Sequence, residues 1–173
     1  RLQLNEDTLW AGGPYDPANP EALAYLNAVR GLIFAGRYAE AEALADAHLM
    51  ARPLKQMPYQ PAGDLWLDFA HGEARNYRRE LDLDTAMATV RYEAEGVTHT
   101  REMFVSPVAG VLVIRLSASA KGAVSCTIRL DSPQSGATTI ADGDTLCFDG
   151  HNRAAEGIAG RLRFAMRATA LPV

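Results

Sequence analysis

The sequence lacks the features that mark nucleic-acid-binding, membrane-spanning, metal and redox proteins. Its 17 Lys and Arg against 21 Asp and Glu give a formal charge of −4. No basic stretch is dense enough to neutralise a row of phosphates, so nucleic acid is not an expected partner. The longest aliphatic run, Val111-Leu112-Val113-Ile114, falls far short of the ~20 apolar residues of a spanning helix, and no membrane insertion is expected. The two cysteines, Cys126 and Cys147, each lie in a β-like segment and form no Cys-x-x-Cys pair. Buried free thiols are the plain reading; a cross-strand disulfide stays open if the protein is exported.

Catalytic signatures are equally sparse. His48, His71, His99 and His151 belong to no ligand motif, so neither metal nor cofactor is expected. Ser106 and Ser132 each precede a proline rather than sitting in a Gly-x-Ser-x-Gly elbow. The glycine-rich Trp10-Ala11-Gly12-Gly13-Pro14 lacks the Lys and Ser/Thr of a phosphate loop. Asp82 and Asp84, two apart, would share one strand face opposite Leu81 and Leu83, and two acids on a solvated face need no function. No catalytic residue is assigned to this chain.

What is present is a change of period. With 173 residues and 48% hydrophobic content, the chain fits one domain, taken as residues 1–173. Turn formers crowd the first 19 residues after a short Leu2-Gln3-Leu4 start, which reads as loop. Pro20 opens a helix with Leu23, Leu26, Val29 and Ile33 on one face, ended by Gly36. A second helix follows with Tyr38, Ala41, Leu44, Ala45, His48 and Leu49 on its apolar face, closed by Pro53. Residues 20–52 therefore form a helical hairpin.

From Tyr59 the period falls from about 3.6 to 2. Strands are expected near 64–69, 78–84, 88–93, 98–105, 111–117 and 124–131, with weaker ones at 138–140 and 145–148 around the turn Ala141-Asp142-Gly143-Asp144 and a last one at 161–168. Glu95-Gly96 is a clear hairpin signal. With no helix between successive strands after Tyr77, the fold class is mainly β: an antiparallel sandwich with an inserted helical hairpin.

One loop concentrates chemistry. Asn5-Glu6-Asp7-Thr8-Leu9-Trp10 offers an amide, acids, a hydroxyl and an indole, a mixture that suits sugars, whose hydroxyls need paired donors and acceptors while their C–H faces stack on rings. It also suits turn capping by Asn5 and Asp7, with Trp10 plugging a sheet edge. Trp66, between Asp64 and Asp68 on the face opposite Leu65, Leu67 and Phe69, poses the same choice between stacking and packing.

The chain opens on Arg1 rather than Met and stops soon after an alternating stretch, and it reads as a piece of a longer product. The motifs LNEDTLWAGGPYDPANPEAL, VRGLIFAGRYAEAEALA, YQPAGDLWLDF and YRRELDLDTAMATVRYEAEGVTHTREMFVSPVAGVLVIRL, in that order from about Leu2 to Pro133, resemble the N-terminal domain of glycoside hydrolase family 95, the alpha-L-fucosidases. The resemblance implies a β super-sandwich followed by an (α/α)6 barrel that carries the catalytic Glu, Asn and Asp residues. It implies inverting hydrolysis of alpha-linked L-fucose, typically the alpha-1,2 linkage. The partners so implied are that downstream barrel and a fucosylated glycan. Asn5, Glu6 and Trp10, matching the family's Asn-Glu-x-x-Leu-Trp element, are then placed at the pocket edge or the barrel interface. A free-standing carbohydrate-binding sandwich is the alternative. A helical-repeat protein is suggested by Gly36-Arg37-Tyr38-Ala39-Glu40-Ala41, but no second copy of a ~34-residue repeat exists.

Overall fold

A computed structural model of the chain describes residues 1–141 and 143–172. The elements run β1 (Leu2–Leu4), α1 (Ala22–Phe34), α2 (Tyr38–His48), β2 (Gly63–Asp68), β3 (Arg75–Asp82), β4 (Met87–Ala94), β5 (Val97–Ser106), β6 (Val111–Ala118), β7 (Thr127–Asp131), β8 (Ser135–Ala141), β9 (Thr145–His151) and β10 (Arg163–Thr169). Strands dominate, and the pairings along β1-β2, β8-β9-β10 and β3-β4-β5-β6 are antiparallel. The fold class expected from the alternation, mainly β with a helical hairpin, is the one observed. No helix among the described residues is long and apolar enough to cross a membrane.

The chain divides into two compact units, one of Arg1–Leu65 with the stretch from Leu130 onward, the other Trp66–Arg129. Their boundaries fall inside β2 and β7.

In the first unit the helical hairpin lies in the chain between β1 and β2, strands that pair with each other at Leu2 and Leu65. Asn19 prepares α1: its side-chain Oδ1 accepts the Glu21 N–H at 3.1 Å and its carbonyl accepts the Ala22 N–H. Pro20 thus sits in the turn ahead of the helix. At the other end Gly36 takes φ +74°, and the Arg37 N–H reaches back to the Leu32 carbonyl, the left-handed cap that glycine permits. Tyr25 stacks on His48 with ring centroids 3.7 Å apart, joining the helices.

The helix faces are narrower than the spacing implies. Val29 and Ala41 are buried, but Leu23 is 80% exposed, and Ile33 and Tyr38 also face solvent. α2 ends at His48, ahead of Pro53. The sheet β10-β9-β8 buries Cys147 and Phe148. The acidic turn expected between β8 and β9 includes Asp142, which lies outside the described residues.

The second unit is built on the meander β3-β4-β5-β6. Glu95 and Gly96, at φ 52° and 79°, make the two-residue turn that pairs Ala94 with Val97. Positive φ at both positions matches the right-handed strand twist. Alternation then buries Val90, Tyr92 and Ala94, with Met103 packed against them, while Arg91 and Glu93 face out. Edge strand β3 is exposed along its length, carries Arg75, Arg78, Arg79 and Glu80, and has a register shift between Arg75 and Arg78. Charges and irregularity there discourage further pairing.

The acids of β3 do not share a strand face. The strand stops at Asp82, whose Oδ1 accepts the N–H groups of Asp84 at 2.9 Å and Thr85 at 3.3 Å. A carboxylate that bonds the backbone two residues on closes a turn, which puts Asp84 in that turn. Cys126 likewise precedes β7 rather than lying in a strand. Both thiols are free, and burial raises the Cys126 pKa.

Candidate functional site

The polar loop of the first unit is anchored by a short antiparallel bridge. Trp10 faces Tyr59, the Ala11 N–H bonds the Pro58 carbonyl at 2.9 Å, and the Gln60 N–H bonds the Leu9 carbonyl at 2.9 Å. Leu9 and Ala11 point into the core and are almost wholly buried. Strand alternation therefore turns Trp10 outward, at 38% exposure, beside Tyr59 at 42%. The two rings meet edge to face with centroids 5.3 Å apart, a favoured aromatic geometry.

Glu6, Thr8, Trp10 and Tyr59 are tied together by hydrogen bonds. The Tyr59 hydroxyl donates to the Glu6 carbonyl at 2.9 Å, and the Trp10 indole N–H donates to the Asp7 carbonyl at 2.9 Å. The turn cap is the Glu6 carboxylate, which accepts the Thr8 hydroxyl at 2.6 Å and the Thr8 N–H at 3.0 Å. That corrects the expectation that Asn5 and Asp7 cap the turn. The Thr8 hydroxyl, foremost, holds the Glu6 pKa below the usual glutamate value. Asn5 is exposed beside this carboxylate in the chain. The structure thus brings Glu6 and Trp10 together around one turn and leaves both ring surfaces partly open.

Two residues at this site carry no sequence signal. Tyr59 lies 49 positions beyond Trp10 and meets it only through the bridge. Asn152, 2% exposed, holds the loop from below. Its side-chain amide donates to the carbonyls of Trp10 and Gly12, both at 2.6 Å, and its Oδ1 accepts the Leu162 N–H at 3.0 Å. Gly12 also bonds Arg153 and Arg161 through its backbone. Its φ of +72°, and the 2.9 Å that would separate a Cβ from the Met57 sulfur, explain why glycine stands there. Beside this loop, Asp149, His151, Arg161, Arg163 and Phe164 line an open groove of ≈ 890 Å³.

In the second unit Trp66 carries the Arg129 guanidinium 5.2 Å from its ring centre, and Arg129 also bonds Asp68 at 2.9 Å. This favours the packing reading of Trp66. A second cluster carries no local sequence motif. His71 Nε2 and the Tyr92 hydroxyl are 2.7 Å apart, Arg101 donates to the same hydroxyl at 3.0 Å, and His99 stacks on Tyr92. The hydroxyl thus accepts from Arg101 while it pairs with His71 Nε2, which donates or accepts according to the His71 tautomer. Burial, then the neighbouring His71 and Arg101, lower the His99 pKa. The rings of Phe69, His71, Tyr92 and His99 sit at centroid spacings of 4.8–5.4 Å, with the Arg101 guanidinium 4.2 Å from the Phe69 ring centre, so the cluster is a packed polar core. Among the described residues no three of His, Cys, Asp and Glu converge as a metal-ligand set.

Comparison with known proteins adds two findings. A family model described as the N-terminal domain of glycosyl hydrolase family 65 matches residues 1–172. Alpha-L-fucosidase 2 of Arabidopsis thaliana is 39% identical over 135 residues, 76% of this chain. The chain spans 16% of that relative's length.

Proposed function

Because the chain belongs to the glycosyl hydrolase family 65 N-terminal domain family, we propose that it is the non-catalytic N-terminal domain of a glycoside hydrolase that removes alpha-linked L-fucose from glycans. The observation that carries the substrate is the identity to a protein named as an alpha-L-fucosidase, together with the ordered motifs of the family 95 type from Leu2 to Pro133. Residues 1–173 form one domain in this reading, with residues 20–52 as its helical hairpin. The catalytic (α/α)6 domain follows in the same polypeptide, and hydrolysis cleaves the alpha-1,2 linkage to galactose with inversion at the fucose anomeric carbon.

The chemistry of the loop supports this division of labour. Inverting hydrolysis needs a protonated carboxyl, with a raised pKa, across ~6.5–9.5 Å from a carboxylate base. Glu6 has the opposite tendency, since Thr8 stabilises its ionised form. A fixed, ionised acceptor beside a half-open Trp10 and Tyr59 can receive hydroxyls and a C–H face of a sugar. Asn5, Glu6 and Trp10 therefore form the rim of the substrate pocket, where they meet the catalytic domain.

The test uses the full-length enzyme on a fucosyl-alpha-1,2-galactoside followed by NMR. Appearance of β-L-fucose before its α-anomer is expected, with KM raised for Trp10→Ala and Glu6→Gln. Unchanged kcat/KM together with unchanged stability in both variants removes the rim assignment, and α-L-fucose appearing first removes inversion. The exposed Trp10–Tyr59 pair also fits a free-standing sugar-binding module, which requires measurable affinity of residues 1–173 alone for the fucosylated glycan.

A further inference from the structure

We propose that Asn152 is the positioning residue of the Trp10 rim, acting through the loop rather than on the sugar; this rests on the rim reading above. Buried amides are costly unless every donor and acceptor is used. Asn152 spends both amide donors on one three-residue stretch, at the carbonyls of Trp10 and Gly12, and its acceptor on the Leu162 N–H across the sheet end. Its own backbone N–H bonds the Leu162 carbonyl at 3.0 Å, so the residue is fixed before its side chain reaches the loop. Approach of Gly160, where a Cβ would lie 2.2 Å from the Asn152 carbonyl, closes the same junction.

The geometry separates two jobs within one side chain. Oδ1 ties Asn152 to the chain entering β10, while Nδ2 sets where the Trp10 carbonyl, and hence the indole, stands. A displacement of the indole weakens ground-state and transition-state binding alike, because the ring only stacks and touches no reacting bond. Such a loss of uniform binding raises KM and leaves kcat unchanged.

Asn152→Asp in the full-length enzyme tests this. It keeps an acceptor for the Leu162 N–H but sets a carboxylate against the two loop carbonyls, which it cannot bond. The expected result is a three- to tenfold rise in KM with kcat within twofold, and at least tenfold faster backbone hydrogen exchange in a peptide covering residues 8–13. Gly12→Ala, strained at φ +72° and pressed on Met57, gives the same pattern from the loop side if Asn152→Asp fails to fold. Unchanged exchange in both variants overturns the positioning role, whatever the kinetics. Faster exchange with unchanged KM, when Trp10→Ala also leaves KM unchanged, overturns the proposal through the rim reading it rests on. An equal fall of kcat without a change in KM also overturns it.

Discussion

Replacing Tyr92 by Phe removes one oxygen from the centre of the second unit and keeps the ring. Tyr92 is 2% exposed, and its ring contributes to the cluster with Val90, Ala94 and Met103. The lost hydroxyl accepts from Arg101 at 3.0 Å and meets His71 at 2.7 Å. A hydrogen bond to a charged group contributes ~1.5–3 kcal/mol and a neutral one ~0.5–1.5 kcal/mol. Arg101 and His71 are only partly buried, so water can reach part of each and replace some of the loss. Arg101 already holds one buried partnerless N–H, at Nε, and the variant takes away the partner of another. The expected cost is about 2–3 kcal/mol. For a chain of this length that corresponds to a fall in Tm of roughly 4–12 °C. Thermal melts at pH 7.5 check it, with Tyr92→Leu expected to cost more because it also opens a cavity. A change below about 0.5 kcal/mol for Tyr92→Phe refutes the hydroxyl as the hub of this cluster.

Three further outcomes follow from the same structure. The folded His99 pKa lies below its ordinary 6.5, so the unfolded chain binds more protons; stability is full above pH ~6.5 and falls as pH drops through it. Chemical denaturation at pH 7.5 and 5.5 should show that loss in the wild type and less of it in His99→Phe, in an environment set by His71, Arg101, Tyr92 and Glu95. Gly63→Ala would place a Cβ 2.2 Å from the Asp131 carbonyl, and overpacking of this kind costs ~1–3 kcal/mol, here toward the upper end and readable in a urea midpoint. Asp82→Ala should lower Tm at pH 7 by opening the turn to Asp84 and Thr85; since the Asp82 pKa is depressed chiefly by the Thr85 N–H, the difference from wild type shrinks as pH falls through 3.8.

Period and turn chemistry made the second unit legible, because local rules decide it: Glu95-Gly96 takes positive φ and Val90, Tyr92 and Ala94 alternate inward. Helical spacing overstated what the hairpin buries, since Leu23 and Ile33 recur at the expected helix positions yet lie open. Asp84 failed as a strand residue because a side-chain carboxylate competed with the ladder at Asp82. The loop around Glu6 was visible as a composition, but its fixing was not. Tyr59 and Asn152 reach Trp10 from 49 and 142 positions away, and hydrogen bonds of that range leave no local pattern. The same holds for His71 and His99, two histidines without a motif that a pair of strands and one loop bring within 4.8 Å.

The most direct measurement compares L-fucose release from an alpha-1,2-fucosylated glycan by the full-length enzyme and by residues 1–173 alone. Release by the first and none by the second is expected of a non-catalytic domain that shapes a pocket completed elsewhere in the polypeptide. Turnover by residues 1–173 alone, or no release of fucose by the full-length enzyme, contradicts the account.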